Sequence, residues 1–137
     1  MIKKIEHIGI AVKNLEASNT LYKKLLGVSH YKIEDVTTEG VKTSFFKVGE
    51  SKIELLQATN PNSPIAKFIA KRGEGVHHLA FAVEDIEKEI ERLKSEGFEL
   101  IDDIPKQGAD HKKIAFLHPK SSGGVLIELC QDIGNKA

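Results

Sequence analysis

Bulky apolar residues alternate with small or polar ones in "IEHIGIAV", residues 5–12, and again in "VHHLAFAV", residues 76–83. Period-two alternation is the mark of a strand whose successive side chains point to opposite faces. In the first phrase Ile8, Ile10 and Val12 face one way and His7, Gly9 and Ala11 the other. In the second, Leu79, Phe81 and Val83 oppose His78, Ala80 and Ala82. The bulky sides can pack beneath helices, whereas each histidine shares its face with very small side chains, which leaves room above it.

The same succession follows each phrase. Asn14 and Asp85 precede the amphipathic segments "LEASNTLYKKLLG" and "IEKEIERLKSEG", each closed by a glycine, Gly27 and Gly97. That is an N-cap, a helix and a C-terminal glycine, twice over. Leu15, Leu21, Tyr22, Leu25 and Leu26 predict the apolar face of the first helix, and Ile86, Ile90 and Leu93 that of the second. "KIELLQ" (52–57) then matches "LIELCQ" (126–131). His7 and His78 are offset by 71 residues and Glu54 and Glu128 by 74, so the second copy has gained a net three residues between them. Strands are predicted at about 3–12, 29–37, 41–48 and 51–58, then 75–83, 98–103, 112–118 and 124–131. The third and fourth form a hairpin turning at Gly49, Glu50 and Ser51. "SPIAKFIAKRG", with Ser63 as cap and Pro64 in first helical position, predicts a short helix joining the halves. The expectation is one domain of two strand-helix-three-strand modules, about 1–58 and 75–132, with a linker helix in about 59–74.

A chain of 137 residues can bury roughly 65–70% of its unfolded surface and fold unaided. Its 20 basic and 20 acidic residues cancel, which removes the broad positive field that nucleic acid or an anionic membrane would require. No apolar run is long enough to span a bilayer, and the opening "MIKKIEHIGI" is too broken by charge for a signal peptide. A cytoplasmic protein is expected. The single Cys130 excludes an internal disulfide or a cysteine zinc cluster and, within "VLIELC", reads as a buried thiol.

Glu54 shares a strand side with Leu56, and Glu128 with Leu126 and Cys130. A carboxylate embedded in an apolar strand is costly unless it is paired or coordinates a metal. One such histidine or glutamate is ordinarily a core or ion-paired residue; two of each, in register across a duplication, point to a shared divalent ion. His7, Glu54, His78 and Glu128 supply two neutral nitrogens and two anionic oxygens, a set that suits Zn, Co, Ni or Mn without choosing among them. In an octahedral site, four protein ligands leave two neighbouring positions for water or a chelating substrate.

These residues, on a duplicated unit, resemble the vicinal oxygen chelate (glyoxalase/bleomycin resistance/dioxygenase) superfamily. Within it, "HIGIAV", "IELLQ", "SPIAKFIAKRGEGVHHLAFAV" and "FLHPKSSGGVLIEL" are similar to phrases of the methylmalonyl-CoA epimerases, and the resemblance spans nearly the whole chain. It implies an α+β fold in which two βαβββ modules form a cupped, half-open eight-stranded mixed barrel with helices outside. It implies an enzyme that interconverts (2R)- and (2S)-methylmalonyl-CoA by α-proton abstraction and return, with an acyl-CoA substrate, one divalent metal ion and a homodimeric assembly. Glu128 then has two roles, ligand and catalytic base. Of the adjacent histidines, the family's ligand matches His78; His77, on the helix-facing side of the strand, reads as a structural residue or one that supports a ligand from behind.

Where some relatives carry a second carboxylate, "EGVKTSFF" has Thr43, so the second acid is unidentified. Asp110 and His111 replace the family's usual small residues and read as a solvated turn, while His30 and His118 lie beside strand ends. Lys71, Arg72, Lys112, Lys113 and Lys120 are cations of a kind that could meet phosphate, but nothing in their spacing selects them. A glyoxalase I acting on a hemithioacetal shares the resemblance in fold and ligand set. A non-catalytic binding protein of the same fold is the alternative from another class.

Overall fold

The computed structural model describes residues 1–134. Among these residues eight strands and three helices occur in the order the repeat predicts; the strands β1 (Ile2–Ala11), β2 (Lys32–Val36), β3 (Val41–Val48), β4 (Ser51–Ala58), β5 (Gly75–Val83), β6 (Lys106–Gln107), β7 (Lys112–Leu117) and β8 (Ile127–Asp132) follow the order β2-β3-β4-β1-β5-β8-β7-β6. The chain resolves into two compact units, one from His7 to His77 and the other comprising Met1–Glu6 with the chain from His78 onward. Strand β1 (Ile2–Ala11) contributes its first half to the latter and its second half to the former.

In the His7–His77 unit, β1 pairs in parallel with β4 (Ser51–Ala58), β4 pairs antiparallel with β3 (Val41–Val48), and β3 with β2 (Lys32–Val36). Helix α1 (Leu15–Leu26) opens with the Asn14 side chain accepting the Ala17 N–H at 3.0 Å and ends on Gly27 at φ 78°. It packs Leu15, Tyr22 and Leu26 onto Ile10, Val12, Phe46, Ile53 and Leu55. The bulky side of β1 thus lies under a helix, as its alternation requires. Two of the five residues predicted for that helix face do not join it: Leu21 and Leu25 are 61% and 70% exposed. Their spacing continues the i, i+4 rule but places them about a quarter turn from the stripe through Leu15, Tyr22 and Leu26.

Helix α2 (Pro64–Arg72), capped by Ser63, covers part of the opposite face. Its Ile65, Phe68 and Ile69 pack against Ala11, Val41 and Leu56. Gly40 anchors the approach to β3. Its φ of +64° is left-handed, and a Cβ there would stand 2.8 Å from Asn60 Nδ2 and Ser63 Cβ.

In the other unit, β5 (Gly75–Val83) pairs in parallel with β8 (Ile127–Asp132), and β8 antiparallel with β7 (Lys112–Leu117). Helix α3 (Ile86–Ser95), capped by Asp85, buries Ile86, Ile90 and Leu93 against Val83, Ala115, Leu117 and Leu129. Glu89 is buried with them, its carboxylate 2.7 Å from the Met1 ammonium and 2.9 Å from Arg92.

The sixth strand departs from expectation. Residues 98–103 do not form a continuous strand; β6 is Lys106–Gln107, and Leu100 makes only an isolated bridge to Leu117. The Asp102 carboxylate accepts the Phe116 N–H at 3.0 Å, and Ile101 N–H bonds Phe116 O at 2.8 Å. A side chain competing for the ladder's donor, followed by Pro105, ends regular pairing there. Strand β8 also begins later than predicted, because Gly123 and Gly124 both take left-handed φ. Asp110 and His111 form the β6–β7 turn, both at positive φ (59° and 55°).

Candidate metal centre

Strand register places each predicted ligand beside its counterpart. In the His7–His77 unit the in-register partners Gly9, Glu54 and Phe45 share one face of β1, β4 and β3. His7, two residues before Gly9, shares that face. The result is a direct contact: His7 Nδ1 lies 3.2 Å from Glu54 Oε2, with both side chains nine-tenths or more buried. The second unit repeats it. Ala80 pairs with Glu128 and Phe116 with Glu128, which puts His78 on the glutamate's face. His78 Nε2 lies 3.0 Å from Glu128 Oε1, and both are again buried. Phe116 stands edge-on to the His78 ring at 5.8 Å.

Each unit therefore holds one imidazole nitrogen and one carboxylate oxygen at almost the same separation. Ligand bonds of about 2.1 Å at right angles put neighbouring donor atoms about 3.0 Å apart, so each pair is spaced as adjacent ligands of one ion would be. The donor chemistry agrees, since each pair offers a nitrogen and a carboxylate oxygen, donors that first-row divalent ions take. Gly9 and Ala80, in register with the two glutamates, keep the neighbouring positions free of bulk.

Behind each glutamate, and missed in the sequence reading, is a glutamine. Gln57 Oε1 accepts the Leu15 N–H at 2.6 Å, and Gln131 Oε1 accepts the Ile86 N–H at 2.8 Å. Three residues beyond the glutamate on a strand, each points to the helix side and satisfies an amide of the helix's first turn. The signal was in the matched phrases "IELLQ" and "IELCQ", whose final letter repeats as faithfully as the glutamate.

The other flagged residues take structural places. His77 packs edge-on against Phe68 of α2 at 4.9 Å, and His30 against Phe46 at 5.9 Å. His118 Nδ1 accepts the Lys120 N–H at 3.3 Å. Cys130 is buried with Ala80 and Ile114. Thr43 is 1% exposed on β3, opposite Leu56. Lys112, Lys113 and Lys120 are engaged with Glu6 and Asp132, with Glu87 and with Glu99.

Residues 6–116 match the model of the Glyoxalase/Bleomycin resistance protein/Dioxygenase superfamily. The chain belongs to that superfamily. An ethylmalonyl-CoA/methylmalonyl-CoA epimerase of Cereibacter sphaeroides is 40% identical over 133 residues, 96% of this chain and 99% of its own. Among solved structures, a hypothetical protein from Bacillus halodurans C-125 superposes with a TM-score of 0.93 at 46% identity, covering 98% of this chain and 96% of that one. A variant of the Streptomyces coelicolor methylmalonyl-CoA epimerase, in complex with 2-nitronate-propionyl-CoA, superposes with a TM-score of 0.92 at 34% identity over 96% of both chains. Superfamily membership accounts for the duplicated strand-helix-three-strand order, which the repeat had predicted. No helix among the described residues is long and apolar enough to cross a membrane.

Proposed function

We propose that the chain is a metal-dependent methylmalonyl-CoA epimerase in which His7, Glu54, His78 and Glu128 together hold one divalent ion. The observation that carries the reading is the buried histidine–glutamate contact made twice, at 3.2 and 3.0 Å, in equivalent positions of a duplicated chain. The similarity to epimerases over nearly the full chain supports methylmalonyl-CoA as the substrate. An ion bound there supplies a Lewis acid that stabilises negative charge on the thioester oxygen as the α-proton leaves.

The protein's own groups do the rest. Gly9 and Ala80 leave space for a small branched acyl group beside the ligands. Glu128 takes or returns the α-proton, since a carboxylate within reach of that carbon meets the geometric demand on a general base. Burial of both pairs keeps bulk water from competing for the carbanion.

The test is protein reconstituted with Co or Zn and mixed with each epimer of methylmalonyl-CoA in deuterated water. Solvent deuterium at the α-carbon, with interconversion of epimers, is expected. Glu54→Gln should lose metal, whereas Glu128→Gln should lose turnover even when metal is restored. No exchange, with turnover of methylglyoxal plus a thiol instead, would replace the epimerase with a glyoxalase I.

A further inference from the structure

In the unit that holds His78 and Glu128, regular pairing fails at the segment before β6, and the chain replaces it in a way that reaches a candidate ligand. Strands β5 and β7 flank β8, so the side chains of His78, Glu128 and Phe116 stand side by side on one face. The His78 and Phe116 rings meet across β8 with 5.8 Å between their centres and their planes at 88°. A torsion onto a flat ring has broad wells, so the χ2 angle of His78 is soft by itself. The perpendicular neighbour narrows it, because turning the imidazole would drive it into the Phe116 ring. Nε2 is thereby kept toward Glu128 Oε1, 3.0 Å away.

Phe116 is itself held by an unusual acceptor. Leu100 bridges Leu117, Glu99 O accepts the His118 N–H at 2.7 Å, and Phe116 O accepts the Ile101 N–H at 2.8 Å. In a regular antiparallel ladder Ile101 O would accept the Phe116 N–H in return. The Asp102 carboxylate takes that amide instead, through Oδ2 at 3.0 Å. Its other oxygen, Oδ1, lies 3.8 Å from Lys106 Nζ, and the same ammonium stands 6.0 Å from the centre of the Phe116 ring. One side chain thus fixes the Phe116 backbone and steers the cation over its ring. The His7–His77 unit needs no such device, since Phe45, opposite Glu54, is fully buried in a ladder with β2 and β4. Phe116 is half-buried, and the strand outside it is two residues long. A charge-assisted bond to Asp102, whose side chain is 17% exposed, makes up for the missing strand.

We propose that Asp102 is a positioning residue for His78: it locks Phe116 in place, and Phe116 holds the imidazole turned toward Glu128. The inference rests on the metal-centre reading above, in which His78 is a ligand. An imidazole already turned to its partner loses less freedom when an ion binds, so Asp102 raises affinity for the ion without touching it.

The experiment compares wild type, Asp102→Asn, Asp102→Ala, Phe116→Leu and the Asp102→Ala/Phe116→Leu double variant. Ser121→Ala is the control, because the Ser121 hydroxyl ties down the same segment at Glu99 without touching Phe116. Three quantities are measured at fixed pH: melting temperature, Zn and Co affinity by competition with a chelator, and the carbon-relaxation order parameter of the His78 ring in metal-free protein. Asp102→Ala and Phe116→Leu should both lower the order parameter and weaken ion binding by about 10-fold or more. Asp102→Asn keeps an oxygen for the Phe116 amide and should stay within about three-fold of wild type. The double variant should bind no worse than Phe116→Leu, since a residue that acts through another adds nothing once the other is gone. Ser121→Ala should change neither ring mobility nor affinity. An unchanged order parameter in Asp102→Ala, with affinity within about three-fold of wild type, would overturn the inference whatever the melting temperature does. So would losses that multiply in the double variant. If Asp102→Ala does not fold, a Phe116→Leu protein with an unchanged His78 ring overturns it by itself. A wild type that binds neither ion refutes the metal-centre reading and takes this inference with it, an outcome distinct from one confined to the variants.

Discussion

Gln131→Ala removes the side-chain acceptor of an amide in the first turn of α3, and the size of the effect follows from where that amide lies. The Ile86 side chain is fully buried, and its N–H donates to Gln131 Oε1 at 2.8 Å. Water has poor access to a donor at that position, so truncating the acceptor costs about 1–3 kcal/mol, the penalty for a buried polar group left unmade. At roughly 3–5 °C per kcal/mol for a chain of this size, the melting temperature falls by roughly 5–10 °C for a loss near 2 kcal/mol. The matching change at Gln57, whose acceptor serves the Leu15 N–H at 2.6 Å, should cost a similar amount. Urea titration with chelator present separates this effect from metal binding. The midpoint should move with the slope unchanged, because no more surface is exposed on unfolding than before. Gln131→Glu is the control: it keeps an acceptor and adds negative charge at a helix N-terminus, worth about 0.3–1 kcal/mol. It should lie within about 0.5 kcal/mol of wild type at neutral pH. Equal losses in Gln131→Ala and Gln131→Glu would show that side-chain packing, and not the orphaned amide, sets the stability, and the reasoning would fail.

Two further outcomes follow from local geometry. Glu89 is held below the ordinary carboxylate value of 4.5, chiefly by the hydrogen bond from the Met1 ammonium and further by Arg92, against the opposing effect of burial. A group with a depressed folded pKa contributes stability above its unfolded pKa and loses it as pH falls through the folded one. Glu89→Gln should therefore destabilise at pH 7 and converge on wild type well below pH 4.5, as read by urea midpoints across pH; a constant difference at all pH would contradict the ion pair. His111 sits at φ 55°, where a side chain costs about 1–2 kcal/mol against glycine, so His111→Gly should raise the melting temperature. A decrease would mean that the imidazole makes contacts worth more than the strain.

What the sequence could and could not reveal divides along the range of the interaction that fixes each feature. The facing of His7 and of Glu54 follows from period-two alternation, a property of a few consecutive residues, and the duplication states each signal twice. Their pairing was legible for that reason, and the structure places the two at 3.2 Å. Helix caps at Asn14 and Asp85 were legible on the same grounds, since a cap acts three residues away. The strand expected at 98–103 failed because its alternation competes with a partner 14 residues downstream: the Asp102 carboxylate captures the Phe116 amide. Gln57 and Gln131 were visible as repeated letters, but their meaning depends on amides 42 and 45 residues away.

Glu34 is the sharpest case of the same rule. Nothing in "YKIEDVTTEG" distinguishes it from any solvated strand glutamate. Only the β2–β3 register, with Glu34 opposite Thr43 and Lys32 opposite Phe45, brings it to the face that holds Glu54. A one-residue slip of β2 would turn Ile33 and Asp35 to that face and send Glu34 to the other, so the face Glu34 occupies depends on pairing and not on residue type. The opposite dependence holds for the four proposed ligands, whose faces are set twice over by the repeat. A duplicated fold can in this way set the faces of its paired histidines and glutamates twice, once in each half, while its edge strands diverge between the two halves. The short β6, Lys106–Gln107, which occupies the place of β2 in the second copy, offers no carboxylate in that position.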